Sequence, residues 1–345
     1  MTKNKSKPIV RLLRIVMPAV ALLSLIIFPP WKEIWLWIAP LHDTVQEEMN
    51  IGIEHGLDGI IVFIDKGDEQ PEFYSAGWKN RENRTPADPH ALFKIASISK
   101  LYVAASAAML VNDKQLSLDK PLTYYLPELS GRIEFGDKIT LRQMLQHRSG
   151  IPNLTDHPDY PWGNPPQNNE EALKYALDLP ADFNPGEDYA YSNTNYLLIS
   201  EIMDQVLGYS HHQFIKERIL IPLGLKNTFS SIKEVDIDKV MSGYSVGWEL
   251  DVKNNYHASM IATAEDVGIF LRALIDGTLF TDEEQKIYSS IYVYEHTGLV
   301  PGYYSIARYH KDIDTIIIQF VNTNGGNSEW ISNIIYDRIV KILHQ

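Results

Sequence analysis

The sequence predicts an α/β protein of the α+β type, in which an antiparallel sheet flanked by helices is interrupted by a mostly helical insertion. Strand-like segments occur towards both ends of the chain, in residues 59–78 and 291–322. The apolar residues between them recur at helical spacing. The last strands follow one another through short links, which join antiparallel neighbours but cannot join parallel ones. The two ends of the chain are therefore expected to form one discontinuous sheet.

The strands and helices divide the chain of 345 residues into three sections. Residues 1–42 are an N-terminal membrane anchor or signal segment. The sheet domain combines residues 43–90 with residues 240–345, and the helical domain is residues 91–239. A chain of this length can bury a sizeable core, so residues 43–345 are expected to form one catalytic unit.

The first half of the catalytic unit begins with two strands and a buried helix. Residues 59–65 and 72–78 are rich in β-branched and aromatic residues, and they flank a polar turn that contains Gly67. A long apolar helix follows from Ser97. It must end before Pro121, because proline disfavours the helical conformation of the residue before it.

The sequence pattern in the middle of the chain predicts one long loop between short helices. The loop, residues 155–169, is rich in proline, asparagine, aspartate and aromatic residues, and long loops often border binding sites. The predicted helices cover residues 139–147, 170–179, 193–207 and 210–220.

Strands return near the C-terminus. The pattern predicts one strand over residues 243–250, and a helix whose capping box starts at Thr263 and which Gly277 ends. The remaining strands cover residues 291–297, 303–310 and 315–322. A last helix, residues 328–343, has one apolar face that packs on the rest of the fold.

Composition excludes several classes of function. The net charge of −13 argues against nucleic acid as a partner, and the absence of cysteine excludes disulfides and thiolate chemistry. The pair His211–His212 has no further ligand at metal-binding spacing, and there is no His-Glu-x-x-His motif. No metal and no cofactor are therefore predicted.

The N-terminus has the features of a membrane-targeting segment. An apolar run, residues 15–28, precedes the first acidic residue, Glu33. Its basic flank consists of Lys3, Lys5, Lys7, Arg11 and Arg14. Because residues 37–39 make a poor cleavage site, we expect an uncleaved anchor that holds the catalytic domain outside the cytoplasmic membrane. A cleaved signal and secretion are the alternative.

Ser97 and Lys100 are the first candidate catalytic residues. Their spacing of three places both side chains on one face of the predicted helix. Backbone N–H groups at a helix N-terminus can stabilise the oxyanion that forms when a serine attacks a carbonyl. Apolar neighbours such as Ile98 and Leu101 favour a neutral lysine that can accept the serine proton. The alternative is a serine N-cap followed by a lysine that reaches to solvent.

Two later motifs complete the set of candidates. Tyr191 and Asn193 lie at a junction between a loop and a helix. By themselves they indicate a packed tyrosine and an asparagine N-cap. His296, Thr297 and Gly298 end a predicted strand, and by themselves they indicate only a strand that enters a turn.

In this order, Ser-x-x-Lys, Tyr-x-Asn and His-Thr-Gly resemble the motifs of the serine penicillin-recognising enzymes. These are class C-type β-lactamases, D-alanyl-D-alanine carboxypeptidases and related esterases and amidases. Residues 141–152 and 184–193 add to the likeness, which extends over about residues 45–345. The resemblance implies a β-lactamase/transpeptidase-like fold.

The resemblance also implies a role for each residue of the chemistry. Ser97 is the nucleophile that becomes acylated, and Lys100 activates it. Tyr191 carries the proton to the leaving group. The backbone N–H groups of Ser97 and Leu299 form the oxyanion hole.

The remaining motif residues bind substrate in the same resemblance. Asn193 bonds the substrate amide, while His296, Thr297 and Gly298 line the strand beside the substrate and Thr297 binds a carboxylate. A histidine next to a carboxylate is protonated at low pH, so this anchoring is expected to weaken as pH rises.

Two departures from the family pattern shape the predicted function. Many β-lactamases have lysine where this chain has His296, and Leu299 is bulky where a small residue is usual. The prediction is an extracytoplasmic serine hydrolase, a carboxypeptidase or esterase rather than an efficient β-lactamase. Its substrate is a small molecule or peptidoglycan-derived: a D-amino-acid peptide, an ester or a β-lactam.

Two other functions remain open from the sequence. The first is a membrane-anchored penicillin-binding sensor that is acylated without turnover. The second is an α/β-hydrolase, because Gly243–Gly247 matches a Gly-x-Ser-x-Gly nucleophile elbow at Ser245, with Asp266 and His296 downstream. An elbow requires a helix directly after the serine, which this sequence does not predict.

Overall fold

A computed structural model of the protein describes residues 6–28, 30–256 and 259–345. The chain divides into two compact units, Met1–His42 and Asp43–Gln345. The first unit contains helices α1 (Ser6–Ile27) and α2 (Trp31–Ile38). Lys3 and Lys5 of the predicted basic flank lie outside the described residues.

The predicted membrane anchor falls in this first unit. Within the described part of the chain, no helix combines the length and the apolar character needed to cross a membrane. The predicted transmembrane helix is therefore not supported by the described residues.

The second unit is organised around a six-stranded sheet with the order β3-β2-β1-β10-β9-β8. All neighbours in this sheet pair antiparallel. The strands of the chain are β1 (Gly59–Asp65), β2 (Glu72–Asn80), β3 (Thr85–Pro86), β4 (Phe93–Lys94), β5 (Thr228–Phe229), β6 (Tyr244–Ser245), β7 (Ile261–Ala262), β8 (His296–Val300), β9 (Tyr303–His310), β10 (Thr315–Val321) and β11 (Thr323–Asn324). The predicted fold class is confirmed, because β1 from one end of the chain pairs with β10 from the other.

Helices cover both faces of the sheet. The helices of the second unit are α3 (Val45–Glu54), α4 (Ser99–Asn112), α5 (Leu122–Tyr125), α6 (Leu141–Leu145), α7 (Asn169–Leu173), α8 (Asn193–Leu207), α9 (His211–Ile215), α10 (Ala264–Ile275), α11 (Asp282–Ile291) and α12 (Ser328–Leu343). In β1, Ile60 lies against Gly52 of α3, and Phe63 lies against Gly268 of α10. Side chains three positions apart on a strand point to opposite faces, so α3 and α10 pack on opposite sides of the sheet.

Helix α4 is the core of the helical section. Its residues 100–110 are all buried, and it contacts α8, α9 and α11. A helix that is apolar on every side must be surrounded by other elements. Because α4 begins beside Ser97, this packing fixes the position of the predicted nucleophile.

Two predicted strands near the C-terminus were wrong. Residues 243–250 contain only the short strand β6, because the backbone turns at Gly247 with a φ of +87°. Ile291 closes helix α11 instead of opening a strand. A capping box between Thr281 and Glu284 starts that helix, and this N-terminal signal was missed.

Several predicted helices are shorter than expected. The helix predicted over residues 170–179 ends at Leu173, and Asp178 has a φ of +62° that no helix permits. The helix predicted over residues 139–147 is α6, and His147 beyond it has a φ of +56°. The helix predicted over residues 210–220 is α9 followed by a π-helical turn, Lys216–Leu220.

A buried ion pair joins the two ends of the catalytic unit. Glu48 on α3 accepts hydrogen bonds from Arg338 on α12, at 2.6 Å from Nε and 2.8 Å from Nη2. Their side chains are 0% and 2% exposed. Removing one member of such a pair leaves the other charge buried without its main partner.

We predict that Arg338→Met lowers the free energy of unfolding by about 3–5 kcal/mol. The double variant Glu48→Leu/Arg338→Met should recover most of the loss, because neither charge then remains. Urea unfolding of residues 43–345 measures both values. A single variant as stable as the native protein would contradict a structural role for this pair.

Candidate active site

Ser97 lies in a strained turn between β4 and α4. It is the central residue of a short 3-10 turn, Ala96–Ile98, that leads directly into the helix. Ala96 has a φ of +49°, a left-handed conformation that non-glycine residues seldom adopt, and its N–H donates to Ser259 Oγ at 2.8 Å. Backbone strain of this kind occurs at functional sites, where surrounding contacts hold it in place.

Lys100 lies one helical turn beyond Ser97 and is buried. Its Nζ donates to Ser97 Oγ at 3.2 Å and to Asn193 Oδ1 at 2.8 Å. The same nitrogen lies 5.1 Å from the ring centre of Tyr191 and 5.6 Å from that of Tyr196. Lys100 therefore links the nucleophile turn to the start of α8.

Tyr191 approaches the same serine from the loop before α8. Its hydroxyl donates to Ser97 Oγ at 2.7 Å. Ser97 Oγ thus lies within hydrogen-bond distance of two groups, Lys100 and Tyr191, that can take a proton during attack on a carbonyl. The structure brings these three predicted catalytic residues together.

Asn193 is fixed by contacts that the sequence did not reveal. Its Nδ2 donates to Thr155 Oγ1 at 3.0 Å, and its backbone N–H donates to Asn153 Oδ1 at 2.9 Å. Thr155 begins the long loop that the sequence placed near a site, but nothing in the pattern singled out that hydroxyl.

Gly298 brings β8 close to the nucleophile turn. A Cβ at this position would lie 2.4 Å from the carbonyl oxygen of Ile95 and 2.3 Å from Ser305 Oγ. Only a residue without a side chain permits this approach. The next residue, Leu299, has a half-exposed side chain and lines the same cavity as Ser97. The oxyanion hole assigned to the N–H groups of Ser97 and Leu299 stays a prediction.

His296 and Thr297 form the start of β8, and the structure corrects the charge expected of the histidine. His296 Nδ1 contacts the carbonyl oxygen of Thr297 and therefore carries the proton, so Nε2 accepts from the Tyr292 hydroxyl at 2.9 Å. Burial, and then the nearby Lys100, lowers the pKa of His296 from its usual 6.5 to about 4. His296 is accordingly neutral at physiological pH. The carboxylate-binding role of Thr297 stays a prediction.

His147 is a further site residue that motif reasoning did not assign. Its ring lies 4.5 Å from the ring of Tyr191, and its Nδ1 accepts the backbone N–H of Ser192 at 3.2 Å. Burial, followed by the charge of Lys100, lowers the pKa of His147 to about 3. A neutral imidazole therefore supports the Tyr191 ring. The segment 141–152, noted for its family likeness, contained this residue.

A cavity of about 620 Å³ opens at the nucleophile, and Ser97, Lys100, Asn193 and Leu299 are among its lining residues. A second cavity, of about 650 Å³, is lined by Thr123 and by residues 130–137 and 178–180. Because that lining contains no predicted catalytic residue, we assign the chemistry to the first cavity.

The alternative nucleophile Ser245 is not arranged for catalysis. Its hydroxyl donates to Asn324 Oδ1 at 2.6 Å, and the described residues between it and α10 form no helix. Asp266 accepts instead from Asn227 N at 2.8 Å and Thr228 Oγ1 at 2.9 Å. The nucleophile-elbow interpretation is therefore not supported. Among the described residues, no group of histidine and acidic side chains is arranged to hold a metal ion.

Comparison with known proteins agrees with this geometry. A family model described as Beta-lactamase matches residues 41–290. The chain belongs to the Beta-lactamase family. The resemblance drawn from the three motifs is therefore confirmed at the level of the family.

Two curated relatives and one solved structure are similar to this chain. The chain is 26% identical over 205 residues to penicillin-binding protein 4* of Bacillus subtilis, covering 59% of this chain and 44% of that protein. It is 28% identical over 189 residues to a Beta-lactamase of Pseudomonas fluorescens, covering 53% of this chain and 49% of that protein. The chain thus spans about half the length of these relatives.

The solved structure is a D-amino acid amidase of Ochrobactrum anthropi SV3. The fold superposes with a TM-score of 0.77 at 21% identity, covering 87% of this chain and 98% of the amidase. At that identity the likeness shows a shared fold and nothing finer.

The neutral state of His296 gives a prediction on pH. We compare kcat/KM for a substrate with a free carboxylate and for a neutral ester of the same acyl group. Because its pKa is lowered to about 4, His296 stays uncharged from about pH 6 to 9. The ratio of the two kcat/KM values should therefore not change over this range. His296→Lys should raise the ratio by adding a positive charge. A native ratio that falls through pH 6.5 would show a titrating histidine instead.

Proposed function

We propose that the protein is a serine hydrolase that forms an acyl-enzyme on Ser97 and acts on amide or ester substrates. The observation that carries this proposal is the contact of Ser97 Oγ with both Lys100 Nζ, at 3.2 Å, and Tyr191 OH, at 2.7 Å. A serine at a strained helix start, with two proton carriers beside it, is arranged for nucleophilic catalysis.

The chemistry proceeds in two steps. Ser97 Oγ attacks the substrate carbonyl carbon while its proton passes to a neighbour in its deprotonated form, either the neutral Lys100 amine or the Tyr191 phenolate. The carbonyl oxygen becomes an oxyanion near the N–H groups of Ser97 and Leu299. The bond to the amine or alcohol then breaks, and Tyr191 delivers a proton to that leaving group. Water attacks the acyl-enzyme, its proton returns through the same residues, and the free acid leaves.

The neutral His296 supports esters and amides over β-lactams. A β-lactam or a C-terminal D-amino acid carries a carboxylate, and His296 supplies no positive charge to hold it at physiological pH. The solved neighbour named a D-amino acid amidase supports a D-amino-acid amide or ester as the substrate class.

The relatives named penicillin-binding protein support one alternative, a sensor that is acylated but not turned over. Acylation requires nearly the same residues as hydrolysis. The rate of release after stoichiometric labelling separates the two functions, because an enzyme regains activity within its catalytic cycle and a sensor stays labelled.

We predict that a fluorophosphonate labels Ser97, and that Ser97→Ala lowers the hydrolysis of a p-nitrophenyl ester to the background rate. Removing the hydroxyl should cost only about 1 kcal/mol of stability, the net value of a typical side-chain hydrogen bond. Peptide mapping locates the label, and circular dichroism checks the fold.

Ser245→Ala is the matched control, because Ser245 Oγ bonds only Asn324 among the described residues. It should keep both labelling and turnover. A label on Ser245, or full activity in Ser97→Ala, would refute the proposed nucleophile.

We further propose that the catalytic unit acts outside the cytoplasm and stays associated with the membrane through residues 1–42. The support is the sequence pattern, a basic flank followed by the apolar residues 15–28. Secretion after cleavage is the alternative.

We predict that the full chain sediments with membranes, and that residues 43–345 alone are released as an active protein. Protease added to intact cells should degrade the catalytic unit only if it faces outward. Recovery of the full chain from the cytosolic fraction would contradict this location. A mature N-terminus after Ala39 would instead indicate secretion.

A further inference from the structure

The cavity that contains Ser97 follows one face of helix α8. Asn193, Leu197, Glu201 and Asp204 all line it. Spacings of three and four residues place these side chains on one stripe of the helix. At a rise of 1.5 Å per residue, Glu201 lies about 12 Å along the helix from Asn193, and Asp204 about 16 Å. Because Asn193 bonds Lys100, the stripe leads away from the reaction centre.

The far part of this cavity has an excess of negative charge. Its acidic lining residues are Glu170, Glu201 and Asp204, whereas Lys100 is its one lysine or arginine among the described residues. His211 and His212 also line the cavity, and His211 lies against Asp204. Burial, and then the neighbouring His211, lowers the pKa of His212 to about 3, so that ring adds no positive charge at neutral pH.

Two of the carboxylates are held in place by neighbouring side chains. Asn169 Nδ2 donates to Glu201 Oε1, and a neutral amide orients that carboxylate without cancelling its charge. Asp204 Oδ1 lies 2.7 Å from His211 Nδ1. Although burial opposes ionisation of Asp204, its bonds with His211 lower its pKa overall. Asp204 is therefore ionised at neutral pH.

Aromatic side chains form another part of the lining. Tyr160 and Trp162 come from a loop outside α8, and their rings meet edge to face at 4.9 Å. Tyr256 also lines the cavity, and its ring is already covered by Lys233 Nζ at 4.7 Å. Aromatic surfaces pack against extended chains, and their faces attract ammonium and guanidinium groups. The cavity thus combines length, aromatic surface and negative charge.

We propose that this cavity binds an elongated arm of the substrate that ends in an amine, and that Glu201 selects for the positive charge. An extended chain of three residues covers about 10 Å, close to the distance from Asn193 to Glu201. An arm that ends in a carboxylate is disfavoured, because it meets like charges. This inference deepens the proposed function and uses the same site.

The test measures binding in the Ser97→Ala protein, so that it needs no turnover. The ligands are 8-aminooctanamide and suberamic acid, which have the same chain length and opposite terminal charges. Fluorescence reports binding, since Trp162 lines the cavity. The dissociation constant of 8-aminooctanamide should be about tenfold lower than that of suberamic acid. The amine gains a partly exposed ion pair with the carboxylates, whereas the acid is repelled by them.

Glu201→Gln, added to Ser97→Ala, should reduce this preference to about threefold or less. Glutamine keeps the oxygen that accepts from Asn169, so the local shape is retained. The control is Glu217→Gln in the same background, because Glu217 is an exposed acid outside the cavity lining. This control should keep the full tenfold preference.

Equal or undetectable binding of the two ligands, or tighter binding of suberamic acid, would overturn the inference. So would a preference that persists in the Glu201→Gln protein. The proposed function is tested separately, by turnover of the p-nitrophenyl ester of 8-aminooctanoic acid with the native serine present. If the protein prefers 8-aminooctanamide but does not hydrolyse the ester, only the proposed hydrolase function is contradicted. If it hydrolyses the ester but binds the two ligands equally, only the proposed amine-binding site is contradicted.

Discussion

The site depends on the burial of the Lys100 amine between α4 and α8. A buried lysine must direct its N–H groups to acceptors, because an unpaired one would lose the hydrogen bonds that it makes in water. Ser97 Oγ and Asn193 Oδ1 are those acceptors. Satisfying one side chain therefore fixes the distance between the nucleophile turn and the start of α8, and Tyr191 is brought to Ser97 by the same packing.

The sheet holds β8 against the turn that carries Ser97. The sheet closes when β1 pairs with β10, and β8 at its edge lies against the turn that carries Ser97 because Gly298 has no side chain. The rigid elements α4, α8 and β8 thus border the reaction centre. A catalytic geometry that depends on tenths of an ångström needs such a frame, since loops alone would not keep it.

Charge divides the cavity into two regions. Near Ser97 the histidines His147 and His296 are neutral because they are buried beside Lys100, which makes a second positive charge unfavourable. Farther along α8 the carboxylates Glu201 and Asp204 are partly solvated and oriented by neighbours. The same burial that prepares the chemistry therefore leaves His296 on β8 uncharged. The charges that line the cavity are then Lys100 near Ser97 and the carboxylates farther along α8.

The sequence by itself predicted the fold class from local signals, namely apolar periodicity, caps and glycines, which depend on neighbours along the chain. The resemblance of three short motifs indicated the family and singled out Ser97, Lys100, Tyr191 and Asn193, which the structure brings together. Tertiary structure decided the charge of His296, the support of Tyr191 by His147 and the contact of Thr155 with Asn193. It also decided that Glu201 and Asp204 line the same cavity as Ser97. A pKa, a packing contact and a cavity wall are set by groups far apart in sequence, so only the folded chain defines them.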